Sequence, residues 1–157
     1  MTDHRWLPAG FVHPQRVELT PTTHLRPIRA SDVDIDMVTV MANRDMLWRM
    51  YGEAWGWPPA AMTHAQDEED LAHHAAEMVD QLSFNYAVLD DDETQLLGCV
   101  YIDPLDPTES GEPAAEVSWW LGEEVADEVR RALDKFVPEW IGSTWPFRHV
   151  TTPFQGR

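Results

Sequence analysis

The order of signals along the chain predicts an α+β domain. Stretches of two-residue apolar alternation mix unevenly with stretches of helical periodicity, in the order strand, helices, hairpin, strand, helix, strand. One core suffices for 157 residues, which bury roughly two-thirds of the surface that the unfolded chain exposes. Eight tryptophans in a 43% hydrophobic composition supply large side chains, so the chain should fold despite a mean hydropathy of -0.41. We read residues 24–157 as a single domain. Residues 1–23, punctuated by Pro8, Pro14 and Pro21, read as an extended arm with one strand around Arg16 to Thr20.

HLRPIR, residues 24–29, alternates around a proline and reads as an edge-type strand. Ser31 or Asp32 then caps a helix with Val33, Met37, Val40 and Met41 on one face. A second short helix should run to about Tyr51, before Gly52, Gly56, Pro58 and Pro59 break the chain. The loop WGWPP carries two indoles, which form either a plug over the core or a wall of a substrate cleft. Thr63 and Gln66 make a T-x-x-Q capping box for a third helix, whose Leu71, Ala75, Met78, Val79 and Leu82 recur at helical spacing. That helix also carries His64, His73 and His74 among Asp67, Glu68, Glu69 and Asp70. Glu69 with His73, or Asp70 with His74, would share a face at i, i+4. Zinc needs three or four converging ligands and one helix face offers two, so no metal site is expected.

SFNYAVLDDDETQLLGCVYIDPL is the hairpin: Phe84, Tyr86 and Val88 alternate, DDDET turns, and Leu96 to Ile102 runs back. Gly98 marks a bulge or a close backbone approach. The loop DPLDPTESGEP leads to the strand AEVSWWL, in which Trp119 and Trp120 must point to opposite faces. The last helix opens near Asp127 and turns Val129, Leu133, Phe136, Val137 and Trp140 inward. Pro138 should kink or end it, because proline removes a backbone donor and clashes with the preceding turn. WPFRHVTTPF closes as a strand near Phe147 to Thr152, and the chain holds no internal repeat.

Lys plus Arg number 11 against 28 Asp plus Glu, a formal charge of -17. Such a field repels nucleic acid and anionic membrane surfaces, keeps the protein soluble and favours cationic partners such as amines. Cys99, the single cysteine, lies in the apolar run LLGCVYI and behaves as a small buried hydrophobe. The N-terminus has no uninterrupted apolar stretch of signal-peptide type, and no run of 18 apolar residues occurs, so the expected compartment is the cytoplasm.

Taken together, LRPIRASD, the hairpin around LLGCVYI, and AEVSWWL followed by a helix resemble the GNAT superfamily of acyl-CoA-dependent N-acetyltransferases over about residues 24 to 153. The resemblance is to the ribosomal-protein and small-amine members, in which the strand reads A-E-[IV]-G-Y-W-[LV]. It implies a mixed, mostly antiparallel central sheet flanked by helices, with acetyl-CoA as cosubstrate. In that family the strand splays from its neighbour and the pantetheine pairs with strand backbone. The pyrophosphate rests on amides at the start of the next helix, in a [QR]-x-x-G-x-[GA] loop. Trp119, Trp120, Leu121, Gly122, Val125 and Ala126 are the matching cofactor-binding candidates, and a wedge between the strands bearing Val100 and Val117 is where the pantetheine is expected.

The glycine loop itself is deleted here. Only Gly122 remains, and Glu123 and Glu124 would face the place of the pyrophosphate, where a like charge at ~4 Å costs about 1 to 4 kcal/mol. Without a phosphate, those acids simply favour the helix dipole. The helix and further strands with which family members usually continue are also lacking from the sequence. The resemblance makes Glu116 the candidate general base and Tyr101 the candidate acid, while Trp145 and Arg148 are placed by position alone against an adenine or a phosphate. Two functions follow. One is an N-acetyltransferase with an atypical cofactor site, taking a small-molecule or peptide amine, with a homodimer allowed. The other is a non-catalytic GNAT-like module whose Trp-rich cleft holds another small molecule or a protein partner.

Overall fold

The computed structural model describes residues 6–105 and 112–156. Six strands, β1 (Val17–Thr20), β2 (Thr23–Pro27), β3 (Phe84–Asp90), β4 (Leu96–Pro104), β5 (Ala114–Leu121) and β6 (His149–Thr151), form one sheet in chain order. All neighbours run antiparallel except β5 and β6, which are parallel. The helices are α1 (Val33–Ala42), α2 (Arg44–Trp55), α3 (His64–Val79) and α4 (Asp127–Thr144), with a 3-10 turn at Ala30–Asp32 before α1. The middle of the loop between β4 and β5, residues 106–111, lies outside the described residues.

Strand alternation divides the helices between two faces. Tyr86, Val100 and Trp119 share one face, where Tyr86 packs edge-on against Trp140 of α4 and the Trp119 indole donates to Asp134 Oδ1 at 2.8 Å. Cys99, Tyr101, Ser118 and Trp120 share the other, where the Tyr51 hydroxyl of α2 donates to Ser118 Oγ at 3.1 Å and Thr39 of α1 donates to the Leu96 carbonyl. Trp119 and Trp120 thus do take opposite faces, and both are buried. From the N-terminal segment, Leu7 is buried and the Trp6 indole donates to the Ala114 carbonyl at 2.8 Å.

Local signals hold in most places. The Thr63 hydroxyl accepts from the Gln66 amide and the Gln66 side chain accepts from the Thr63 amide, which closes the expected capping box. Gly98 is needed for close approach, since a Cβ there would collide with the Trp120 carbonyl, and the hairpin also bulges beside it: Val88 pairs with Gly98 and Leu89 with Leu96, so Leu97 is the extra residue on β4.

Several expectations change. The HLRPIR strand is internal rather than an edge, because β1 folds back to pair with it. α2 continues past Tyr51 to Trp55 and stops at Gly56 in the left-handed region, φ 63°. α3 ends at Val79, leaving Val79 and Leu82 exposed. Pro138 neither ends nor interrupts α4: it lies on the exposed side, where water can satisfy the freed Asp134 carbonyl, while Val137, Trp140 and Ile141 anchor the last turns in the core.

The most consequential change concerns the wedge. β4 and β5 are paired without a break from Gly98 and Leu121 to Pro104 and Ala115, so nothing fits between the strands bearing Val100 and Val117. The opening is on the other side of β5, where β6 pairs only with Ala114, Ala115 and Glu116 and then departs.

Candidate functional site

Glu116 stands where β5 loses its parallel neighbour, and its cross-strand partner on β4 is Asp103. Its side chain enters a cavity of about 370 Å³ between the sheet and helices α1 and α3, which Tyr101 also lines. The two catalytic candidates therefore meet in one cavity. Burial, and then the charge of Asp103, raise the Glu116 pKa above its ordinary value. Burial pushes the Tyr101 phenol well up, so it stays protonated. The Trp120 indole donates to the Tyr101 oxygen at 2.9 Å, which leaves the phenolic proton for another acceptor.

The cavity is acidic and aromatic. Trp55 and Trp57 of the WGWPP region form part of its wall, and both meet Tyr101 edge-on. The same indoles also cover the core, Trp55 and Trp57 packing on Tyr51 and Trp55 on Phe154, so the loop both plugs the core and walls the cavity. Asp36 of α1 and Asp67 of α3 lie side by side and buried. Burial, together with the neighbouring Asp67 carboxylate, drives the Asp36 pKa up to about 9, so Asp36 holds a proton at neutral pH and shares it with Asp67. Burial opposes protonation of His74, but Asp70 at 3.5 Å and the nearby Glu77 and Asp103 together outweigh it and the pKa rises. Asp103, raised by burial, accepts from the Ser83 hydroxyl at 2.6 Å. Asp70 with His74 is thus the pair realised from the two expected, while His73 turns to Glu77 at 3.4 Å. Among the described residues, no three His, Cys, Asp or Glu are arranged to hold a metal ion, and no helix is long and apolar enough to cross a membrane.

Beyond Glu116, the outer edge of β5 is covered by the C-terminal segment. The Trp119 amide donates to Gln155 Oε1 at 3.0 Å, and Gln155 Nε2 donates to the Trp119 carbonyl at 3.2 Å. One side-chain amide thus imitates a strand neighbour at this single residue. Trp119, Trp120 and Leu121 border a groove here with Met46, Arg130 and Gln155, of about 330 Å³.

The turn after β5 was the other half of the expected cofactor site. Three of its amides are already taken: Gly122 donates to the Leu97 carbonyl, Glu123 to Asn43 Oδ1 at 2.9 Å, and Val125 to the Gly122 carbonyl. Arg130 donates to the Gly122 carbonyl at 2.9 Å, and the Glu124 carboxylate folds back over Gly122. Val125 and Ala126 line a different cavity, with Ile35, Val38 and Leu96, so the six cofactor candidates do not converge. Trp145 is buried among Phe84, Trp140 and Phe147, and exposed Arg148 lies near Glu112 at 3.6 Å, so the indole is core rather than an adenine contact.

An acyl-CoA would therefore find a partial fit. The β5 edge offers the backbone groups that a pantetheine needs once Gln155 withdraws, whereas the turn offers a diphosphate few amides and two nearby carboxylates.

A family model for the acetyltransferase (GNAT) domain matches residues 23–140. Among solved structures, the chain is similar to the apo form of the ribosomal L7/L12 alpha-N-protein acetyltransferase RimL. That match has a TM-score of 0.59 and 15% identity, and covers 85% of this chain and 71% of that one. It is also similar to an acetyl transferase from Salmonella typhimurium that modifies the N-terminal serine of ribosomal protein L7/L12, with a TM-score of 0.63, 12% identity and coverage of 86% and 73%. A third is the microcin C7 self-immunity acetyltransferase MccE, in complex with acetyl-CoA and AMP, with a TM-score of 0.61, 10% identity and coverage of 86% and 71%. No curated protein matches the sequence.

Proposed function

The chain belongs to the acetyltransferase (GNAT) domain family, and from that premise we propose that it is an acyl-CoA-dependent N-acetyltransferase with an atypical coenzyme site, acting on an amine. The observation that carries this reading is the meeting of Glu116 and Tyr101 in one cavity, at the point where β5 becomes free to accept another backbone. When bound, acetyl-CoA supplies the activated acyl thioester. Glu116, in its deprotonated form, takes the proton from the amine nitrogen, which is nucleophilic only when neutral. Tyr101, kept protonated by burial on the same face of the sheet, would give its proton to the thiolate that leaves as the amide bond forms. Trp119, Trp120 and Leu121 form the strand edge for the pantetheine, and Gly122 begins the turn. Val125 and Ala126, which line another cavity, serve only to shape the start of α4. In the absence of a glycine cradle, Arg130, which borders the same groove, is the cation positioned to meet a phosphate.

Calorimetric titration with acetyl-CoA tests the reading. Binding with a Kd of about 1 to 100 µM supports it, and silence at about 1 mM coenzyme rejects it. Two observations favour the second reading, a non-catalytic GNAT-like binding module: the Gln155 amide on the β5 edge and the amides already spent in the turn. Such a module would retain ligand binding in the acidic cavity while failing that titration.

A further inference from the structure

The acidic cavity holds an imbalance that the transferase chemistry does not use. Asp36, Asp67, Asp70, Asp103 and Glu116 line it, and His74 is their one basic companion among the lining residues. Two buried oxygens in it have no fixed hydrogen-bond donor: Asp67 Oδ2, on a residue 4% exposed, whose one available proton is the one shared with Asp36, and Asn85 Oδ1, on a residue 6% exposed. Buried acceptors are costly when unpaired, and what both lack is a donor. An ammonium group has three donors and no acceptor, and it carries the charge that a pair of buried carboxyls would otherwise have to suppress with a shared proton.

The acids are also spread out. Asp36 and Asp67 line the cavity together with Cys99, whereas Asp103 lies four residues further along β4 from Cys99, opposite Glu116. Four residues of strand span about 13 Å. Aromatic faces line the space in between, with Trp55, Trp57 and Tyr101 in the wall, which suits the methylene stems and flanking charges of a linear cation.

We propose that this cavity binds a linear di- or polyamine, with one ammonium seated against Asp67, Asp36 and Asn85 and a second amine at Asp103 and Glu116. As an acceptor assignment this rests on the transferase reading above; as a binding site it stands without it. The deep ammonium replaces the proton shared by Asp36 and Asp67, so that proton leaves to solvent as the ligand enters.

The test is calorimetry on the full chain with spermidine, putrescine and butylamine, in two buffers of different ionisation enthalpy. The proposal expects spermidine or putrescine to bind at least about tenfold tighter than butylamine, with release of a proton near pH 7.5. Asp67→Asn should abolish that advantage while its melting curve shows a folded protein, and Asp36→Asn should abolish the proton release. Glu69→Gln, an exposed acid on the same helix, should bind as the parent does and thereby separates a built site from attraction to a negatively charged surface. Equal binding of all three amines, equal losses in Glu69→Gln and Asp67→Asn, or no heat at about 10 mM amine would each overturn the proposal. Spermidine binding combined with silence toward acetyl-CoA would reject the transferase and leave this site standing.

Discussion

Glu116 has two neighbours that matter, Asp103 across β4 and Thr151 across β6, and the first of them tunes it. A base must be deprotonated to act, so activity should rise with pH through a limb displaced upward from that of an ordinary glutamate. Asp103→Asn should move that limb to lower pH, and Glu116→Gln should remove it with a loss of about 100-fold or more in kcat/KM at unchanged Tm. Asp36 makes a prediction about stability. Its pKa of about 9 in the folded chain lies above its ordinary value of 3.8, so between these limits the folded state holds a proton that the unfolded state has lost. Stability from this group is complete below pH 3.8 and declines as pH rises toward 9. Urea denaturation at pH 5 and pH 9 should show that decline in the parent and a shallower one in Asp36→Asn. The residue was within reach of the sequence: with Val33 and Val40 it occupies the inward stripe of α1, an acid at a core position. The expected stripe named Met37 and Met41 instead, and so passed over it.

At the scale of elements, the helices were legible wherever caps and apolar spacing agreed, as in α3. Extending its stripe backward from Leu71 and Met78 by one turn reaches Asp67, so the same periodicity that found the helix also pointed at the cavity. What periodicity could not show is which exposed positions water would rescue. Pro138 is tolerated for that reason, whereas Val79 is exposed in the last position of α3 and Leu82 lies beyond its end, off the inward stripe. Gly98→Ala should be among the most damaging single changes, about 3 kcal/mol by urea denaturation, since the obstacle is the Trp120 backbone and cannot rotate away. β2 carries a polar cluster that the alternation of its sequence gave no reason to expect. Buried His24 donates to the Glu93 carboxylate at 2.6 Å, and buried Arg26 bonds both Glu93 and Asp32. Glu93→Ala should cost about 2 kcal/mol, less than a fully orphaned charge would, because Asp32 still holds the guanidinium.

For the whole molecule, element order was enough to recognise the α+β plan, and the family model over residues 23–140 agrees with it. The position of the wedge was not legible. Strand order around β5 depends on a parallel return, and β6 is three residues long with no alternation of its own to announce a partner. Gln155 was equally silent in the sequence: a single glutamine near a chain end carries no periodic signal, and only the folded geometry sets it on Trp119. If its amide occupies the edge that a pantetheine needs, Gln155→Ala should strengthen acetyl-CoA binding by about tenfold, roughly the worth of one or two displaced hydrogen bonds, by calorimetry.

The most direct test follows the backbone of Trp119 itself. In a nitrogen-15 spectrum recorded while acetyl-CoA is added, the Trp119 amide and the Gln155 side-chain amide should shift together and saturate together, as one partner is exchanged for the other. Saturable shifts elsewhere that leave both signals unmoved, or no shift at about 1 mM coenzyme, would contradict it.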